Sequence, residues 1–182
     1  DNQIVPYQSD ARLRLADSYF AMRQYDRAIE LYRQISGDGI DYAIFQIGKA
    51  YYNSDNHYEA INTFQRLLES FPYSRWREEA QYLVGYIYFQ NEDYEQAIEE
   101  YRTLIQRYPD SQLASRAQYG IADARYNMGS HQQAINAYKK VLNQYPESPY
   151  VVESITGTQY AMLALGKEDS LTAVVDSFAA RN

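Results

Sequence analysis

A spacing of 37 residues recurs through the middle of this chain. Pro72, Pro109 and Pro146 are 37 residues apart, and each follows an aromatic residue and precedes a serine two positions later. Twelve residues before each proline lies an alanine, and twelve before that lies another small residue: Ala60, Ala97 and Ala134, and Gly48, Gly85 and Ala122. Such a period is typical of repeat architectures, in which identical supersecondary units stack side by side.

Each unit has the pattern of two amphipathic helices, because apolar residues recur at steps of three and four. Small residues allow two helix backbones to approach closely, and large side chains one turn away interlock beside them. The proline ends the second helix since it lacks an amide donor, and Ser148 before Pro149 predicts a new helix starting at Pro149. We expect the large residues sixteen positions after the first small one in the core: Tyr32, Phe64, Tyr101, Tyr138 and Val175.

The Gly/Ala, Tyr, Ala, aromatic, Pro series resembles the tetratricopeptide repeat, whose usual period is 34 residues. The resemblance implies an all-α fold: a right-handed superhelical array of about five antiparallel helix hairpins that forms a single domain over residues 1–182. We place the units at approximately 9–38, 39–72, 73–109, 110–146 and 147–182.

The two ends of the sequence predict a piece of a longer array. Residues 4–7 echo residues 70–73, so residues 1–8 are interpreted as the tail of a preceding repeat. At the other end, an apolar stripe lies where a terminal helix usually presents polar residues: Leu171, Val174, Val175 and Phe178. Alternatively, this stripe packs inward on its own hairpin.

The 37-residue period with its Tyr-Pro-acidic-Ser link is similar to a subset of the family found in bacterial envelope proteins. Examples are the Tol–Pal coordinator and the lipoprotein of the outer-membrane barrel assembly machine. The chain also resembles long multi-repeat proteins of Bacteroidetes-like bacteria. This resemblance favours the periplasm or cell envelope over the cytoplasm, while the lack of cysteine leaves the redox compartment open.

Composition and motifs exclude several classes of function. A net charge of −7 argues against nucleic acid, because there is no basic surplus to displace counterions. No apolar stretch approaches the ~20 residues of a membrane span. His57 and His131 are interpreted as loop or capping residues without metal-ligand spacing. No catalytic motif is present, so we expect no enzymatic activity, no metal and no cofactor.

One core position departs from its pattern. Three residues after the first small position, most units carry an aromatic or other apolar residue, such as Tyr19, Tyr51 and Tyr88. The fourth unit has Arg125 there. We interpret this arginine as a side chain that snorkels past a loosened core.

The family resemblance also implies that the first helices line the concave side of the superhelix. Four offsets from the first small residue fall on that open face. In the three central units these offsets carry aromatic and amide ladders with mixed charges. The predicted concave groove consists of Phe45, Lys49, Tyr52, Asn53, Tyr82, Tyr86, Phe89, Gln90, Arg116, Tyr119, Asp123, Tyr126 and Asn127.

These residue types predict a protein–protein interaction scaffold that binds a peptide-like segment of a partner in the groove. The rings would supply apolar contact with polar tips, and the amides would bond the partner's backbone. The competing interpretation is that the rings only pack against the next repeat. Two other functions stay open: a spacer or self-assembly segment that associates through terminal repeats, and glycan or peptidoglycan binding, since aromatic rings stack on sugars.

Overall fold

The computed structural model describes residues 4–167, with side chains from residue 9 onward. Within this range the chain is helical and contains no strand. The chain forms two units that divide inside one helix, between Ile87 and Tyr88. In chain order the described helices are α1 (Ile4–Ala21), α2 (Tyr25–Tyr32), α3 (Ile40–Asn53), α4 (His57–Ser70), α5 (Arg77–Gln90), α6 (Tyr94–Arg107), α7 (Gln112–Asn127), α8 (His131–Gln144) and α9 (Val151–Ala164).

In the first unit, α1 packs against α2, α2 against α3, and α3 against α4. The predicted small positions Ala16, Ala28 and Ala60 are fully buried, and so are the large partners Tyr32 and Phe64. The Phe64 ring lies so close to the backbone at Gly48 that a Cβ there would be 2.5 Å from a ring carbon. The close helix approach that the small residues predict is therefore confirmed.

The second unit repeats this arrangement, with α6 against α7, α7 against α8, and α8 against α9. Ala122 and Ala134 are buried together with the rings of Tyr101 and Tyr138. The Tyr138 ring also lies against the next first helix, where a Cβ at Gly157 would be 2.4 Å from the ring. The Tyr101 ring approaches the first helix of the following hairpin in the same way, because a Cβ at Gly120 would be 2.6 Å from it.

The turn inside each hairpin has one left-handed residue, always seven positions after the first small residue. Two of these positions hold glycine, Gly129 with φ 73° and Gly166 with φ 65°. The other three hold side chains: Arg23 with φ 59°, Asp55 with φ 63° and Glu92 with φ 63°. Because a Cβ is unfavourable in this conformation, three turns carry a local strain that the two glycine turns avoid.

The links between repeats use the serine two positions after each proline. The hydroxyls of Ser74, Ser111 and Ser148 accept hydrogen bonds from the amides two residues later, at 3.2, 3.1 and 3.1 Å. The predicted start of the last helix at Pro149 was wrong. A tight turn, with the Val151 amide bonded to the Ser148 carbonyl at 3.2 Å, comes first, and α9 begins at Val151.

The all-α prediction of helix hairpins is confirmed in this range. The backbone of residues 4–8, which the sequence assigned to a preceding repeat, continues α1 here. The unit boundaries and the status as a fragment stay predictions. The stripe of Leu171, Val174, Val175 and Phe178 lies outside the described residues. Within residues 4–167, no helix combines the length and apolarity that a membrane crossing requires.

Candidate functional site

Two rings of the predicted groove are packed inside the chain. Phe45 is 1% exposed, and its ring stacks on Trp76 at 5.0 Å between centroids with 13° between planes. Its other neighbour is Phe64, at 5.8 Å. Tyr82 is 6% exposed. The packing interpretation therefore describes Phe45 and Tyr82, whose rings face neighbouring side chains instead of solvent.

Three other groove residues of the first unit, Lys49, Tyr52 and Tyr86, lie next to these rings or to one another, while Asn53 is exposed. Tyr52 and Tyr86 are half-buried and meet edge to face at 6.3 Å. Tyr86 in turn stacks on Tyr82 at 6.0 Å. Lys49 is half-buried, with its Nζ 5.3 Å from the Phe45 ring centroid and 3.9 Å from Glu79 Oε1.

In the second unit, Tyr119 holds the same repeat position as Phe45 and is covered in a similar way. Its ring stacks on Tyr150 at 5.3 Å with 22° between planes. Trp76 and Tyr150 each come 31 residues after the ring they cover and two residues after a linking serine. Sequence reasoning missed these two covering rings, although their fixed distance from the serine was a usable signal. Tyr119 keeps part of its surface exposed.

Asp123 of α7 is held by the hydroxyl of a buried tyrosine. The Tyr138 hydroxyl donates to Asp123 Oδ1 at 2.5 Å. Burial raises the pKa of Asp123, and the hydroxyls of Tyr138 and Tyr119 oppose that rise. Burial raises the pKa of Tyr138 and of Tyr119 well above the ordinary tyrosine value, and the Asp123 carboxylate adds to both shifts. The acid is thus fixed in place by the core.

The first unit contains the same pair of an aspartate and the tyrosine fifteen residues later. Asp17, at the same offset from its small residue as Asp123, accepts from the Tyr32 hydroxyl at 2.5 Å and from the Tyr42 hydroxyl at 2.9 Å. In the second repeat both partners are absent together, because Lys49 stands at the acid position and Phe64 at the tyrosine position. We call the hydrogen-bonded pairs Asp17–Tyr32 and Asp123–Tyr138 the Asp–Tyr lock, because each ties the first helix of a hairpin to the second.

A cavity of about 310 Å³ opens between α7 and α9 beside the second lock. Val152 and Tyr160 at its rim are 70% and 57% exposed. No Lys or Arg is among its lining residues in the described part of the chain. The lining, which we call the α7–α9 pocket, consists of Tyr119, Asp123, Tyr126, Tyr138, Val152, Glu153, Thr156, Gly157 and Tyr160.

The pocket unites three of the predicted groove residues, Tyr119, Asp123 and Tyr126. The α9 side of the pocket was not predicted, because the predicted groove was confined to the three central repeats. A signal was present: Thr156 and Tyr160 hold the same offsets in the fifth repeat as Tyr119 and Asp123 hold in the fourth. The other groove residues of the second unit lie outside the pocket lining; Phe89 is half-buried, and the exposed ones are Gln90, Arg116 and Asn127.

The two histidines lie next to groove residues and begin second helices. His57 is the first residue of α4 and stacks on Tyr52 at 5.9 Å. His131 is the first residue of α8 and lies 5.2 Å from the Tyr126 ring. Across residues 4–167, no group of three or more His, Cys, Asp or Glu side chains is arranged to hold a metal ion.

Comparison with known proteins agrees with the repeat geometry. Profiles of the tetratricopeptide repeat match residues 76–147 and, separately, residues 10–36 and 42–74. The chain belongs to the tetratricopeptide-repeat family. The matched segments together cover well over half of the chain. A search of curated proteins finds no match for this tetratricopeptide-repeat chain.

Solved structures of MamA have the same fold as this tetratricopeptide-repeat chain. MamA residues 41 to the end from Desulfovibrio magneticus RS-1 match with a TM-score of 0.72 at 14% identity, covering 94% of this chain and 93% of that one. Two further MamA crystal structures match with TM-scores of 0.72 and 0.70 at 19% and 20% identity. They cover 93% and 91% of this chain and 89% and 92% of their own. Identities this low establish the fold alone.

Proposed function

We propose that this chain is a protein–protein interaction scaffold whose α7–α9 pocket receives a peptide-like segment of a partner protein. The observation that carries the proposal is the pocket itself: a carboxylate fixed by the core lies beside exposed apolar and aromatic rim residues, Val152 and Tyr160. Tetratricopeptide repeats generally mediate protein–protein interactions. Exposed large apolar side chains that border a polar cavity are a common feature of such interfaces.

The charge of the pocket selects a basic residue on the partner segment. Asp123 and Glu153 line it, and the Glu153 charge contributes to the raised pKa of Tyr119. A Lys or Arg side chain would meet these carboxylates and the faces of Tyr126 and Tyr160. The net charge of −7 would steer such a segment toward the chain.

The location of this scaffold in the bacterial cell envelope is part of the proposal. It is supported by the 37-residue period and the Tyr-Pro-acidic-Ser links at residues 108–111 and 145–148. The three serines of the links bond the next turn, so the links contribute directly to the geometry between repeats.

An array of synthetic peptides tests the recognition. The purified chain should select peptides that carry Lys or Arg next to an apolar residue. The double variant Glu153→Gln, Tyr160→Ala should lower the affinity for the selected peptides roughly tenfold or more, because both side chains are at the pocket mouth. Tyr58→Ala is the matched control, since Tyr58 is an exposed tyrosine on α4 of the other unit.

Two outcomes would refute the pocket assignment. One is equal binding by the double variant and the wild type with the fold intact by circular dichroism. The other is a response to peptidoglycan fragments that the double variant loses, with no peptide selected from the array. The second result would favour the glycan-binding alternative.

A further inference from the structure

A second cavity in the same unit has the opposite charge. It has a volume of about 670 Å³ and is lined by residues of α6, α7 and α8. Arg102, Arg125 and Lys140 line it, and its apolar surface includes Ile105 and Ile121. No Asp or Glu is among its lining residues in the described part of the chain. In a chain with a net charge of −7, this cavity concentrates positive charge.

The first unit shows one role of these positions. There the Arg33 Nη2 donates to the Tyr51 hydroxyl at 2.6 Å. Arg33 and Arg102 have the same offset in their repeats, and so do Tyr51 and Arg125. The fourth repeat has therefore replaced the hydroxyl that accepts from the preceding arginine with a second guanidinium. The interpretation of Arg125 as a snorkelling core residue is thereby revised: it lines a cavity beside another cation.

The charges in this cavity are poorly compensated. Burial, and then the charge of Arg102, lowers the pKa of Arg125. Arg102 has a long ion pair with Glu99, at 3.8 Å, three residues earlier on the same helix. For Arg125 and Lys140 the structure of residues 4–167 shows no ion pair. Arg125 is half-buried, whereas Arg102 and Lys140 are exposed, and neighbouring guanidinium groups in such a cavity attract an anion.

The amide side chains in the lining favour a peptide over a single small ion. Gln118 Nε2 donates to the Ala137 carbonyl at 3.1 Å, which fixes this side chain in the wall. Gln133, Asn136 and Gln144 add further amides around the opening. Amide groups can both donate to and accept from a peptide backbone. The cavity volume is within the range of about 300–1,000 Å³ that ligand sites occupy, far larger than one oxyanion needs.

We propose that this cavity binds an acidic peptide segment, with Arg102 and Arg125 on one carboxylate and Lys140 on a second. Guanidinium groups bind carboxylates through paired N–H···O bonds, and an ammonium acts as a point charge. The site is independent of the α7–α9 pocket, because it uses a different face of α7: residues 118, 121 and 125 instead of 119, 123 and 126.

Binding of a fluorescent peptide rich in Asp and Glu, followed by anisotropy, tests the proposal. A peptide with Asn and Gln at the acidic positions is the ligand control. Arg125→Tyr restores the residue type of Tyr51 and is expected to fold. It should lower the affinity for the acidic peptide roughly tenfold or more. Lys140→Gln should weaken it as well. Arg66→Gln removes one exposed positive charge from α4 of the other unit and should change little.

The outcomes separate a built site from general charge attraction. If Arg125→Tyr loses affinity for the acidic peptide and Arg66→Gln retains it, the result supports the site. If both variants lose the same affinity, or if the acidic and the amide peptide bind equally well, the proposal is overturned. Inorganic phosphate and citrate are tested as well. If either binds in a way that Arg125→Tyr abolishes, while the acidic peptide does not bind, the cavity is a small-anion site and the proposal fails.

Discussion

Replacing Tyr138 with Phe isolates the contribution of the Asp–Tyr lock in the second unit. The change removes the hydroxyl that donates to Asp123 Oδ1 at 2.5 Å and keeps the ring. Ring packing should survive, because Phe64 holds the equivalent position in the second repeat and is fully buried there. The variant therefore tests a hydrogen bond and leaves the volume of the core nearly unchanged.

The magnitude follows from the charge and burial of the acceptor. A hydrogen bond to a charged group contributes about 1.5–3 kcal/mol net. Asp123 is only half-buried, so solvent can replace part of the lost bond and the loss should lie near the lower bound. We expect Tyr138→Phe to reduce the free energy of unfolding by about 1.5–2 kcal/mol. In an Asp123→Ala background the same change should be neutral or stabilising, because the hydroxyl there has lost its acceptor.

Urea unfolding followed by circular dichroism measures both values, with the midpoint moving and the slope unchanged. Tyr58→Phe is the control, since that tyrosine is exposed. A cost of less than about 0.5 kcal/mol for Tyr138→Phe would refute the lock. An equal cost in the wild-type and Asp123→Ala backgrounds would show that the hydroxyl acts through something other than this carboxylate.

Three further predictions concern the same unit. Glu92→Gly should raise the free energy of unfolding by about 0.5–1 kcal/mol, because Glu92 has φ 63° where Gly129 serves the fourth repeat; a loss of stability in urea would contradict this. Gly157→Ala should cost about 1–3 kcal/mol, because its Cβ would meet the locked Tyr138 ring; unchanged thermal unfolding would refute the close approach. Stability should fall as pH rises above about 10, because tyrosines of the unfolded chain ionise there while the folded-state pKa values of Tyr119 and Tyr138 are raised. In alkaline titrations of the unfolding free energy, Tyr138→Phe should make this fall with pH shallower. An identical slope in the variant and the wild type would contradict the prediction.

The helix hairpins and their core could be predicted because packing imposes a local rule. A buried ring such as Phe64 requires a small residue opposite it, and both appear in the sequence at a fixed offset. The helix start predicted at Pro149 rested instead on a serine cap followed by proline, and there the bonds of the Tyr150 and Val151 amides to Ser148 form a turn first.

The candidate site was only partly predictable, because exposure depends on residues outside the repeat offsets. Phe45 and Tyr119 hold one repeat position, but Trp76 covers the first almost completely while the ring that stacks on Tyr119 leaves it half exposed. The covering rings belong to the links between repeats, where helical periodicity makes no prediction. The pocket also needs α9, whose Tyr160 departs from the aspartate of the preceding repeat.

The two cavities of the second unit show which positions of a repeat can vary freely. In the first and fourth repeats the acid one residue after the first small position is bonded to the tyrosine of the second helix, Asp17 to Tyr32 and Asp123 to Tyr138. A change of charge there disturbs the lock and therefore the core. Arg125, two residues further on, lies on another face of the helix and replaces a hydroxyl that only accepted from an exposed arginine. Because Arg125 lies outside the lock, we expect binding chemistry in this array to vary more readily between the second helices than at the locked acid.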